Sequence, residues 1–206
     1  MFQKLKILAD HLEGMSLRKE AIAIKSLSRN ASRGPKIFMH IAGPAGSGKT
    51  TLLEKIKKTF PDVAGEDLDL FDEMATEALG LPEGWKHEGL WNEESAKKSY
   101  EIKQKLLEDF VRDHAGKKII FVGFHEEGDQ RFHFDPKWKI SLSTSPEESA
   151  IRRRKRDFEQ NPSQPHLKEE DLHSFIQEGE EVLKNLKSEG YTSASPEAIL
   201  RIISQG

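Results

Sequence analysis

The sequence contains no cysteine. This absence excludes disulfide bonds, thiolate metal ligands and cysteine nucleophiles. There is also no run near the roughly 20 apolar residues that a transmembrane helix requires, and the charges scattered through residues 1–30 argue against a secretory signal. Neither basic nor acidic residues are in large excess, since 32 basic and 35 acidic residues give a net charge of −3. That balance argues against a surface built wholly to hold nucleic acid or acidic lipid. Together these features predict a soluble, cytoplasmic protein.

The first 34 residues have the pattern of a separate helical unit. Apolar residues recur at helical spacing from Phe2 to Leu12 and again from Leu17 to Leu27. Gly14 can end the first helix and Ser16 can cap the second. A turn-rich stretch then leads to Pro35. We therefore predict a helical hairpin over 1–34 that docks a partner or a second subunit, followed by one domain over 35–206.

Residues 35–206 alternate between strand-like and helix-like segments. We predict strands at 37–42, 63–69, 119–122, 138–142 and 190–193, and helices at 50–60, 70–79, 92–114, 145–157, 172–186 and 196–203. A glycine-rich loop is predicted at 80–91, and a loop with two prolines and several polar residues at 159–168. Strands that alternate with helices are typical of a parallel α/β sheet.

One motif in this domain carries specific chemistry. Residues 43–50 have the sequence GPAGSGKT, which matches G-x-x-x-x-G-K-[ST] directly after a strand and at the start of a helix. The backbone N–H groups of such a loop converge on an anion, and the helix N-terminus adds partial positive charge. A turn that binds nothing is the alternative. The predicted binding residues for a nucleoside triphosphate are Gly43, Ala45, Gly46, Ser47, Gly48, Lys49, Thr50 and Thr51. Lys49 is expected at the β- and γ-phosphates and Thr50 on Mg²⁺.

An acidic pair follows the second predicted strand. The strand 119–122 ends in Gly123, where a standard ATPase or GTPase would carry an acidic residue. Asp67 and Asp69 stand instead after the second strand, and side chains two positions apart in a strand share a face. We predict that Asp67 joins Thr50 in holding Mg²⁺, and that Asp67 or Asp69 activates an acceptor hydroxyl. A solvated acidic turn is the alternative.

At this point the chain resembles the small P-loop kinases, the group that contains adenylate, shikimate and other nucleotide and metabolite kinases. The P-loop, the Asp67-Leu-Asp69 element, a third strand ending in Gly123 and an arginine-rich helix after the fourth strand carry the resemblance, which spans about 36–205. It implies a three-layer α/β sandwich with a mostly parallel, five-stranded sheet. It also implies ATP, Mg²⁺ and phosphoryl transfer to a small acceptor, with a lid at about 152–170. The 1–34 segment has no counterpart in the minimal fold.

The basic run 152–156 has three interpretations. Arg152, Arg153 and Arg156 can be lid arginines that stabilise the transferred phosphoryl group. The run can also be a solvated helix face or a nucleic-acid patch. On a helix only positions 152 and 156 share roughly one face, which weakens the patch.

Two further features are ambiguous. Trp85 and Trp91 lie in the predicted 80–91 loop, where they either stack on an acceptor or anchor the loop to the core. His125 and His133 flank acidic residues, as in a metal site, but lack regular ligand spacing, which favours a polar loop.

The sequence thus predicts a kinase that transfers the γ-phosphoryl group of ATP to a hydroxyl or phosphate of a nucleoside, nucleotide or metabolite. A polynucleotide 5′-hydroxyl kinase is the alternative enzyme, so nucleic acid is a less favoured partner. A non-catalytic nucleotide-binding switch that docks a partner through the 1–34 hairpin is the alternative from another class.

Overall fold

The computed structural model describes residues 34–80, 93–123, 132–160 and 169–206. The strands are β1 (Lys36–Ala42), β2 (Val63–Asp67), β3 (Lys118–Val122), β4 (Asp135–Leu142) and β5 (Thr192–Ala194). The helices within the described ranges are α1 (Lys49–Thr59), α2 (Leu68–Ala78), α3 (Glu93–Asp113), α4 (Pro146–Gln160), α5 (Glu169–Ser188) and α6 (Pro196–Gln205). None of these helices is long and apolar enough to span a bilayer.

The strands form one five-stranded sheet in the order β2-β3-β1-β4-β5. β3 pairs in parallel with both β1 and β2, and β4 pairs in parallel with β5. Because parallel strands place their carboxyl ends at one edge, the segments that follow all five strands meet there. The predicted parallel α/β class is confirmed.

Alternate residues of the central strands enter two separate cores. Met39 and Ile41 of β1 pack with Ile120 and Val122 of β3, together with apolar residues of α1 and α6. On the opposite face, the Phe121 ring lies 5.9 Å from that of Phe71 in α2 and 5.6 Å from that of Phe110 in α3. Both faces of the sheet are therefore covered by helices, as a buried parallel sheet requires.

The chain divides into two units. The larger comprises 37–132 and 136–206, and the smaller comprises 1–36 with 133–135. Within the smaller unit the Asp135 N–H donates to the Pro35 carbonyl at 2.9 Å. Up to residue 33, the predicted 1–34 hairpin lies outside the described residues, so its existence and docking role stay predictions.

Local sequence signals place several helix starts correctly. The Ser145 hydroxyl accepts the Glu148 N–H at 3.1 Å, and the Ser195 hydroxyl accepts the Ala198 N–H at 3.3 Å. Each serine is followed by proline, whose fixed φ suits the first helical position. The two helices begin at Pro146 and Pro196, close to the starts at 145 and 196 that the sequence predicts.

Several boundary predictions are wrong: β4 begins at Asp135 rather than 138, α5 at Glu169 rather than 172, and β5 at Thr192 rather than 190. Two more concern the site. Strand β2 ends at Asp67 rather than Asp69, because the Asp67 side chain accepts the Asp69 N–H and starts helix α2 at Leu68. Helix α4 continues to Gln160, so the loop predicted from 159 does not begin there. The remainder of that loop, 161–168, lies outside the described residues, as do 161–168 of the predicted lid.

Candidate active site

The P-loop connects β1 to α1 in the conformation that its glycines allow. Gly46 has φ +82° and Gly48 has φ +93°, both in the left-handed region that favours glycine. A Cβ at Gly46 would lie 2.2 Å from the Ser149 carbonyl of α4, so the absence of a side chain also permits close contact with that helix. Gly48 is the N-cap of α1 and provides no side-chain cap. The start of α1 is thus open to an anionic ligand.

Lys49 lies across the loop that precedes it. Its Nζ donates to the Gly43 carbonyl at 2.8 Å and the Pro44 carbonyl at 3.0 Å. Burial lowers the pKa of Lys49, Asp69 and Asp67 oppose that effect, and Arg156 adds to it. A bound phosphate would supply the negative charge that the buried ammonium favours.

Thr50 and Asp67 form a direct contact at the carboxyl end of β2. The Thr50 Oγ1 donates to Asp67 Oδ2 at 2.7 Å. The other carboxylate oxygen, Oδ1, caps α2 through the Asp69 N–H at 3.2 Å. A hydroxyl and a carboxylate are the hard oxygen donors that Mg²⁺ prefers, so the pair fits this ion.

Asp69 lies in the same site, but on a different secondary-structure element from the one that the sequence predicts. It lies in the first turn of α2, not in a strand. Burial raises the pKa of Asp69, the neighbouring Asp67 raises it further, and Lys49 partly offsets both. A carboxylate with a raised pKa is a better proton acceptor than an ordinary aspartate.

The three predicted arginines of α4 separate into two groups. Arg152 and Arg156 line the cavity. Arg152 also forms an ion pair with Glu148, and its Nη1 would lie 3.4 Å from a Cβ at Gly48. Arg153 instead stacks 4.1 Å from the Phe175 ring centroid and pairs with Glu178 at 2.8 Å. Helical spacing explains the difference, because positions 152 and 156 share a face that 153 does not.

The cavity has a volume of about 1070 Å³ and lies at the carboxyl ends of the strands. It brings together these predicted residues: Ala45, Gly46, Ser47, Gly48, Lys49, Thr50, Thr51, Asp67, Asp69, Arg152 and Arg156. Gly43 does not line it but accepts the Lys49 hydrogen bond, and Arg153 does not line it.

The sequence analysis missed several residues of the cavity wall. They are Leu52, Lys55, Leu142, Ser143, Thr144, Glu148 and Pro196. The Thr144 hydroxyl donates to the Ser47 carbonyl at 2.9 Å and so ties the P-loop to the end of β4. The available signal was positional: Ser143 and Thr144 follow β4, and Pro196 follows β5.

Gly123 occupies the strand end where an acidic residue was sought. A Cβ at Gly123 would lie 3.2 Å from Asp67 Oδ1 and 3.2 Å from the Leu68 Cβ. The space that an acidic side chain would need is therefore already filled by Asp67 and the start of α2.

Some predicted site features cannot be placed. Trp85, Trp91 and His125 lie outside the described residues. Within the described ranges, no group of three or more His, Asp or Glu side chains has a metal-binding arrangement.

A family comparison agrees with this geometry. Residues 40–173 match the AAA_18 family, described as an AAA domain, which is more than half of the chain. The chain belongs to this family. AAA_18 proteins are of the P-loop NTPase type and include kinases, so the nucleotide-binding fold expected from residues 43–50 is confirmed. The AAA_18 match begins within β1 and extends through the P-loop, both aspartates and α4. No curated protein matches the chain.

Proposed function

We propose that this AAA_18 protein is a kinase that transfers the γ-phosphoryl group of ATP to a hydroxyl or phosphate of a small acceptor. The observation that carries the proposal is that the P-loop, two aspartates and two arginines line the same cavity. Nucleosides, nucleotides and other small metabolites are the proposed acceptors.

The residues of the cavity have complementary roles. The N–H groups of 45–51 and the ammonium of Lys49 bind the phosphates of ATP. Thr50 and Asp67 hold Mg²⁺, which when bound neutralises charge on the β- and γ-phosphates. Arg152 and Arg156 of the cavity lining orient the γ-phosphate and stabilise the charge it develops.

Asp69 is the proposed base for a hydroxyl acceptor. It accepts the proton of that hydroxyl as the oxygen attacks the γ-phosphorus, and ADP leaves with the electrons of the broken P–O bond. Asp67 is less suited to this role because its two oxygens already contact Thr50 and the Asp69 N–H.

The experiment is a transfer assay with γ-labelled ATP and Mg²⁺ against nucleosides, nucleotides, sugars and 5′-hydroxyl oligonucleotides. Label on a small acceptor, lost in Lys49→Ala and Asp69→Asn, supports the proposal. Label only on oligonucleotides favours the polynucleotide kinase. ATP binding without transfer to any acceptor favours the non-catalytic switch.

A further inference from the structure

A buried hydrogen-bond network connects three strands behind the site. His40 is fully buried in β1, at the centre of the sheet. Its Nδ1 lies 2.5 Å from the Tyr191 hydroxyl, and its Nε2 lies 3.2 Å from the Gly123 carbonyl. Tyr191 directly precedes β5, and Gly123 directly follows β3.

The acceptor at one end determines the direction of these hydrogen bonds. A carbonyl oxygen only accepts, so Nε2 carries the proton that is donated to Gly123. In a neutral imidazole, Nδ1 is then an acceptor, and the Tyr191 hydroxyl donates to it. The order is Tyr191 O–H to His40 Nδ1, then His40 Nε2–H to the Gly123 carbonyl.

Both backbone polar groups of Gly123 form hydrogen bonds with residues of β1. Its carbonyl accepts from His40, and its N–H donates to the Ile41 carbonyl at 3.2 Å. Its φ is +124°, and an added Cβ would lie 3.2 Å from Asp67 Oδ1. The backbone at Gly123 therefore lies beside the Asp67 carboxylate, with no space between them for a side chain.

Tyr191, at the other end of this hydrogen-bond network, packs beside the start of the P-loop. Tyr191 packs in a buried cluster with Leu186 and with Ala42, the residue directly before Gly43. The two hydrogen bonds thus connect the β1 terminus, from which the P-loop starts, to the β3 terminus behind Asp67.

We infer that His40 is a positioning residue that acts with Tyr191 through Gly123 to set the Asp67 carboxylate for the Mg²⁺ of the nucleotide complex. This role rests on the proposed function, in which Asp67 and Thr50 hold Mg²⁺. His40 does not line the nucleotide cavity, so it acts only through its neighbours.

The test is the ratio of ATP affinity with Mg²⁺ to ATP affinity in EDTA, measured by titration calorimetry on the full chain. Tyr191→Phe removes the donor and keeps the ring packing, so the fold is retained. Since partners that orient metal ligands typically matter by 10–100-fold, we expect this variant and His40→Leu to reduce the ratio about 10-fold. The affinity in EDTA should stay unchanged. His40→Gln should restore most of the ratio because its amide has both a donor and an acceptor.

Other outcomes overturn the inference in distinguishable ways. A purely structural role would lower the melting temperature of Tyr191→Phe and leave its ratio unchanged while Asp67→Asn reduces the ratio. In that case His40 does not position Asp67, and the proposed function stands. If Asp67→Asn itself keeps the wild-type ratio, the metal role fails, and this inference fails with it. Nitrogen NMR of His40 gives a readout without nucleotide: a proton on Nδ1 instead of Nε2 contradicts the stated order.

Discussion

The Thr50 hydroxyl donates to the Asp67 carboxylate at 2.7 Å, across 17 residues of sequence. This contact joins the first turn of α1 to the end of β2, so it brings the P-loop and the acidic element into one site. A bound Mg²⁺ would share these two oxygen donors with phosphate and water.

Replacing Lys49 should weaken nucleotide binding without unfolding the protein. The ammonium is hydrogen-bonded to the loop that would hold phosphate, and a hydrogen bond to a charged group contributes about 1.5–3 kcal/mol. We therefore expect Lys49→Ala to raise the Kd for ATP by roughly 10- to 100-fold. Lys58→Ala, an exposed lysine on the same helix that does not line the cavity, is the matched control. Equal affinities for the two variants would refute nucleotide binding at this loop.

Substitutions of Asp67 should separate its two roles. Asparagine can still cap α2, whereas alanine removes the cap at a cost of about 1 kcal/mol. Both variants should lose the Mg²⁺-dependent gain in ATP affinity, and Asp67→Ala alone should have a clearly lower free energy of unfolding. Denaturant melts and calorimetry measure the two effects. A normal Mg²⁺ dependence in Asp67→Asn would exclude the carboxylate as a ligand.

The proposed base predicts a specific pH dependence of activity. A base works in its deprotonated form, and burial raises the pKa of Asp69 above its ordinary value of 3.8. The kcat should therefore fall with acidification at a higher pH than an ordinary aspartate would give. Asp69→Asn should reduce kcat by about 100- to 10,000-fold and remove that pH limb. Glu77→Gln, an exposed change in the same helix, should retain the wild-type kcat and its decrease at acidic pH. If kcat of Asp69→Asn still decreases at the same acidic pH, another group is the base.

The same raised pKa predicts how Asp69 affects stability. The folded state binds this proton more tightly than the unfolded state, so the charged carboxylate reduces stability once the pH exceeds the ordinary value of 3.8. Asp69→Asn should be more stable than the wild type near pH 7, and the difference should shrink as the pH falls through the raised pKa of Asp69 toward 3.8, below which little of it should remain. Urea melts across this range measure it. A stability difference that grows on acidification would contradict the direction of the shift.

The α4 arginines should respond to mutation in opposite ways. Arg152→Gln and Arg156→Gln should lower kcat with little change in stability, because both side chains are about half exposed, 51% and 53%, and line the cavity. Arg153→Gln should instead lose about 1 kcal/mol of stability through the Phe175 and Glu178 contacts and keep its kcat. Equal losses of kcat in all three would show that helix position does not separate their roles.

The helix starts were predictable because the residues that determine them are close in sequence. Ser145 and Ser195 each cap a helix within three residues, and proline follows both. The end of β2 was not predicted, since Asp67 and Asp69 suit a strand pattern as well as a helix cap. Only the hydrogen bond from the Asp69 N–H distinguishes these possibilities.

The P-loop, the α/β alternation and the identity of the charged side chains could all be predicted from the amino-acid sequence. These depend on local glycine conformations, hydrophobic periodicity and spacing along one helix. Three features became clear only from the folded chain: Thr50 contacts Asp67, Arg153 packs on Phe175 outside the cavity, and His40 connects Tyr191 to Gly123. Each of these depends on strand order and helix packing, which arise from contacts between distant segments and leave no short-range pattern in the sequence.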